Sequence, residues 1–119
     1  MAVRAVRGAI TVSENTKESI LEGTKEILVE IIERNSLDNA DIISAIFTVT
    51  HDLNATFPAV AARQIGWNDI PLMCTTEIDV PGSLTKCIRV LLHINSEKSN
   101  TEIKHVYLNG AKILRPDLV

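Results

Sequence analysis

Arg89 interrupts a run that otherwise suits only a buried strand, with Ile88 before it and Val90, Leu91, Leu92, His93 and Ile94 after it. Placing a guanidinium among such neighbours costs several kcal/mol, on the order of 3–5 if no partner meets it, so something anionic must. The preceding segment offers two carboxylates, Glu77 and Asp79, and a bound ligand would serve equally. Arg7, Arg63 and Arg115 are further cations of the same kind, and Tyr107 lies between the last two of these arginines. Arginine brings a fixed charge and a two-pronged donor that matches a carboxylate, and a tyrosine hydroxyl adds another donor. Two readings of this set stand side by side. In one, several of these groups converge on an anion. In the other, Arg7 and Arg89 pair with Glu77 and Asp79, and Arg4, Arg63 and Arg115 are solvated.

Other chemistries find less support. His51, His93 and His105 are scattered and form no HExxH or HxxxH pair, so no metal site is expected. His93 reads as a strand residue with a local hydrogen bond. There is no serine in a GxSxG elbow and no glycine-rich phosphate loop. Cys74 and Cys87 match no zinc or redox spacing, and only Lys86 beside Cys87 hints at activation, so both read as packing residues. Unpaired cysteines suit a reducing compartment, and cytoplasm is the expected location.

The elements that must position these groups alternate strand and helix. Val3 to Thr11 reads as a strand that puts Val3, Ala5, Arg7 and Ala9 on one side and Arg4, Val6 and Gly8 on the other. Asn15 followed by Glu18 reads as a helix start, and apolar residues from Ile20 to Ile32 then recur with helical period up to about Arg34. Ile42 to Thr50 is a second strand, Phe57 to Gly66 a short helix, Pro71 to Thr76 a third strand and Lys86 to Ile94 a fourth. Asn109-Gly110 between two apolar stretches predicts a hairpin. The fold class is therefore α/β, a mixed sheet with helices on one face, and the 119 residues read as one domain, 1–119. A net charge of −3 gives no general attraction to nucleic acid or anionic membrane, and no uncharged apolar stretch of spanning length or export signal is visible.

Several blocks together carry a resemblance. They are Val3-Arg4-Ala5-Val6-Arg7-Gly8-Ala9, Asp52-Leu53-Asn54-Ala55-Thr56-Phe57-Pro58-Ala59, Cys74-Thr75-Thr76-Glu77-Ile78-Asp79-Val80, Lys86-Cys87-Ile88-Arg89-Val90, and His105-Val106-Tyr107-Leu108 with Leu114-Arg115-Pro116-Asp117-Leu118. In order and spacing they resemble the monofunctional AroH-type chorismate mutase family from end to end. The resemblance implies a homotrimer with a barrel-like core, sites between adjacent subunits, and the Claisen rearrangement of chorismate to prephenate in phenylalanine and tyrosine synthesis, with no cofactor and no metal. It implies that Arg89 donates to the ether oxygen and a substrate carboxylate, that Arg7 and Tyr107 hold a carboxylate, and that Glu77 accepts the ring hydroxyl with Cys74 beside it. Phe57, Met73 and Leu114 resemble pocket walls, and Arg63 and Arg115 resemble arginines near the entrance. Family members often carry lysine where this chain has Val60. Cys74 and Glu77 differ in strand parity, so either the strand ends between them or Cys74 acts through its backbone. An imine deaminase of related trimeric architecture and a non-catalytic carboxylate sensor are the competing readings. None of the deaminase motifs is present, and a donor for an ether oxygen argues against the sensor.

Overall fold

A computed structural model describes residues 2–115. Pro116, Asp117 and Leu118, part of the C-terminal motif, lie outside the described residues. Five strands, β1 (Ala2–Thr11), β2 (Ile42–Val49), β3 (Leu72–Thr76), β4 (Cys87–Ser96) and β5 (Val106–Leu108), form one sheet in the order β3-β2-β4-β1-β5. β4 runs antiparallel to both β1 and β2, whereas the edge strands β3 and β5 pair parallel to β2 and β1, so the sheet is mixed. The two helices, α1 (Lys17–Asn35) and α2 (Ala59–Gln64), pack on one of its faces.

Alternation decides which face they cover. Val6 and Ile10 of β1, Ile88, Val90, Leu92 and Ile94 of β4, and Ala45 and Phe47 of β2 point to the helices and are buried with Ile20, Ile27, Leu28 and Ile31 of α1. Trp67, just past α2, closes this core. Gly8 lets α1 come close, since a Cβ there would stand 2.6 Å from Ile31 Cδ1. α1 starts one residue later than the sequence suggests: Thr16 is the N-cap, its Oγ1 accepting from Ser19 N at 3.1 Å. Asn15 instead reaches another loop, where its Oδ1 accepts from Asn54 N at 3.0 Å and Ala55 N at 3.1 Å.

The predicted hairpin at Asn109-Gly110 does not form. Residues Asn109–Leu114 make a 3-10 turn, and β5 pairs with β1 rather than with a following strand. The reason is local. Asn109 takes a left-handed φ of 55° and its Nδ2 donates to Thr11 O at 3.1 Å, while Gly110 N donates to Thr11 Oγ1 at 2.8 Å. The pair turns the chain against the end of β1 instead of back along β5. This turn covers one end of the second sheet face, where Ala9, Cys87, Tyr107 and Ala111 are buried with Leu84 and Leu114 against them. Among the described residues nothing packs over the rest of that face. Val3 and Met73 are about 60% exposed there, at 59% and 62%, and Ile46 and Leu91 are half-buried. No helix among the described residues is long and apolar enough to cross a membrane.

Candidate active site

Strand pairing sets Arg89 in one transverse row with Ala9, Thr48, Thr75 and Tyr107. Residues paired across strands share a face, so this row lies on the side away from the helices. The next row on the same face holds Arg7, Leu91, Ile46 and Met73. Arg89 Nε stands 3.5 Å from Glu77 Oε2, an ionic contact too long for a good hydrogen bond. That Nε is buried and makes no hydrogen bond among the described residues, and the same is true of the Tyr107 hydroxyl. Two buried donors of one row are therefore left for something else to satisfy.

Glu77 reaches Arg89 because β3 has ended. Its backbone N donates to Val49 O at 2.8 Å, and its Oε2 accepts from Thr48 Oγ1, also at 2.8 Å. Cys74, paired with Phe47, faces the helix-side core instead, which answers the parity question: the two side chains do lie on opposite faces. Cys87 sits two residues before Arg89 on the bare face. Burial pushes its thiol pKa up and outweighs the opposing charge of Arg89, so it is a neutral thiol with no nucleophilic role. The hydrogen bond expected of His93 is present, between Ser44 Oγ and His93 Nδ1 at 3.2 Å.

The start of β4 is held by a clamp. Asp52 accepts from Lys86 N at 2.9 Å and from the Thr50 hydroxyl, and Thr50 Oγ1 accepts from Cys87 N at 3.0 Å. Lys86 needs it, having a left-handed φ of 48°. Burial tends to raise the Asp52 pKa, but the hydrogen bonds from Thr50 and Lys86 prevail and hold it below the usual carboxylate range. At the other end of the site, His105 Nδ1 accepts from Arg7 N at 3.0 Å. Burial, then the charges of Arg115 and Arg7, lower the His105 pKa below its ordinary value.

Phe57, Arg63, Cys74, Ala59 and Leu72 line a separate cavity of about 330 Å³ beside α2 and β3. Phe57 is 68% exposed there. The candidates thus fall into two sets. Arg7, Arg89, Tyr107, Leu114 and Arg115 belong to the face and end formed by β4, β1 and β5, and Glu77 reaches Arg89 from the end of β3, while Phe57, Arg63 and Cys74 belong to the β3 edge, with Met73 exposed on the second sheet face beside them. The two edge strands, β3 and β5, are four strand spacings apart, about 19 Å across the sheet.

The sequence model of the family described as chorismate mutase type I matches residues 3–118. The chain belongs to the type I chorismate mutase family. A chorismate mutase AroH of Bacillus subtilis (strain 168) is 44% identical over 119 residues, covering 99% of this chain and 94% of that protein. The corresponding AroH of Thermus thermophilus is 49% identical over 117 residues, covering 98% and 96%. A solved chorismate mutase from Clostridium thermocellum superposes with a TM-score of 0.91 at 59% identity, covering 92% of this chain and 98% of that one. Within this chorismate mutase fold, Thr48, the Thr50–Asp52 clamp and His105 touch or hold the candidate residues without being apparent from the sequence. Their contacts depend on strand register, and no spacing along the chain signals them.

Proposed function

We propose that the protein rearranges chorismate to prephenate as a homotrimer of single-domain chains, with each site shared between adjacent subunits. The observation that carries this reading is the row of donors on the sheet face away from the helices, in which Arg89 Nε and the Tyr107 hydroxyl are buried without hydrogen bonds among the described residues. In the reaction the ether C–O bond breaks as a new C–C bond forms, six electrons shift in a ring, and no proton is transferred. Catalysis then reduces to holding the dianion folded and stabilising the charge that grows on the ether oxygen.

Arg89 is the donor to that oxygen, braced by Glu77 at 3.5 Å. Glu77 accepts the ring hydroxyl with its second oxygen, the first being taken by Thr48. Arg7 and Tyr107 hold a carboxylate, and Leu114 and Arg115 flank them. Phe57, Arg63, Met73 and Cys74 of the site come from the neighbouring subunit, a reading supported by their place at the β3 edge, opposite the edge that carries Tyr107. The half-bare sheet face, with Val3, Met73, Ile46 and Leu91, supplies the apolar surface on which subunits meet. The two free cysteines fit a reducing cytoplasm, and the net charge of −3 fits a small-molecule substrate rather than nucleic acid.

The test is direct. Purified protein mixed with chorismate should consume it and produce an equal amount of prephenate without added metal or cofactor. Chorismate left intact by folded protein would overturn the reading.

A further inference from the structure

We propose that His105 is a positioning residue for catalysis, its ring accepting the backbone N–H of Arg7 and so fixing where the Arg7 guanidinium meets a substrate carboxylate. The proposal rests on the chorismate mutase reading above. β5 begins at Val106, which pairs with Gly8, so the ladder between β1 and β5 stops just short of Arg7. The His105 ring takes the place of the missing strand carbonyl, with Nδ1 at 3.0 Å from Arg7 N. The ring is itself anchored. Asn35, buried at the end of α1, donates from Nδ2 to Lys104 O at 2.8 Å and accepts at Oδ1 from Lys104 N at 2.8 Å. The residue before His105 is thereby fixed to the helix, and Arg7 is fixed through the ring to the same frame.

An imidazole accepts at Nδ1 only when its proton is on Nε2, so the contact requires the neutral ring. The charged groups around it are cations: Arg7 on β1, Arg115 after the 3-10 turn, the adjacent Lys104, and Arg34 of α1, which shares a cavity with His105 and is itself paired with Glu30 at 2.8 Å. Partial burial and the charges of Arg115 and Arg7 disfavour the imidazolium, which keeps the acceptor available at neutral pH. Protonation would set two donors against each other and release Arg7.

Steady-state kinetics of wild type, His105→Ala and His105→Asn test the role. At about pH 7.5 the alanine variant should raise KM for chorismate about tenfold with kcat within about threefold. The asparagine variant restores a carbonyl acceptor near the place of Nδ1 and should bring KM back to within about threefold of wild type. As pH falls below about 6, wild-type KM should rise while that of His105→Asn stays flat, because an amide does not titrate. Nitrogen NMR of the wild type should find the proton on Nε2. An asparagine variant as impaired as the alanine one, an identical acid limb in both, or a proton on Nδ1 at neutral pH would overturn the proposal. Wild-type protein that makes no prephenate would overturn both readings. Active wild type beside an equally active His105→Ala would overturn the positioning role alone.

Discussion

Arg89 was conspicuous as a cation in an apolar strand, and the structure explains how the strand carries it: β4 alternates, so Ile88 and Val90 fill the helix-side core while Arg89 turns to the other face. On the proposal that Arg89 donates to the ether oxygen, replacing it with alanine should cost about 3–4 kcal/mol or more in kcat/KM. Arg89→Lys should recover little, since a point charge cannot reproduce the guanidinium fork. Stopped assays on the folded variants check both, and near-normal kinetics in Arg89→Ala would mean the donor lies elsewhere. A reaction that moves no proton also needs no group to titrate during turnover, and arginine stays charged throughout. We therefore expect kcat to vary by less than about twofold between about pH 6 and 9, with any acid limb confined to KM, whereas a bell-shaped kcat would indicate acid–base chemistry. Residue types were readable in the chain, and so was Glu77 as a partner for Arg89, but the other partners were not. Thr48 meets Glu77, and His105 meets Arg7, through pairings between strands that are far apart in sequence.

Among the elements, those with strong periodicity stand where the sequence puts them. α1, β1, β2 and β4 follow from alternation and helical spacing because one face of each is buried, and β3 turns the half-buried Leu72 and Cys74 to the same core. The misreadings fell at ends and turns, where several polar residues compete for the same backbone groups. Thr16 rather than Asn15 caps α1, and Asn109-Gly110 bonds to Thr11 rather than closing a hairpin. The clamp on β4 is such an end, and it gives a prediction with a definite sign. The folded state lowers the Asp52 pKa, so its contribution is fully present above the unfolded value of about 3.9 and is lost as pH falls through the lower folded value. Asp52→Ala should lower unfolding free energy by about 1–2 kcal/mol at neutral pH. Denaturant melts should find that deficit shrinking below about pH 4, and a deficit independent of acid would show that the carboxylate charge does not hold the turn.

The whole chain presents a sheet covered on one side and half-bare on the other, with its candidate residues split between opposite edges. The homotrimer proposed above accounts for both facts by bringing neighbouring copies of the chain to that face. Light scattering of the purified protein should give three times the chain mass of 13.1 kDa, and activity should fall with dilution below the concentration at which the trimer dissociates. A stable active monomer would contradict the shared site. Charged substitution on the bare face, such as Leu91→Glu, should dissociate the assembly and abolish turnover while leaving the helix-side core intact.

β1 lies inside the sheet although it is the first element made. Its partners come late: Ala2 pairs with Ser96, and Gly8 with Val106. On a ribosome adding about 5–20 residues per second, the first strand waits roughly 5–20 s before either neighbour has been synthesised. Until then the nascent chain has no sheet interior, and Arg7 has no His105. Closure of the sheet around β1 accordingly waits for β4 and β5, and with so many distant pairings folding should be slow for a chain of this size. Nascent chains stalled before residue 105 should be digested readily by protease, and resistance should come only once the last strand has emerged.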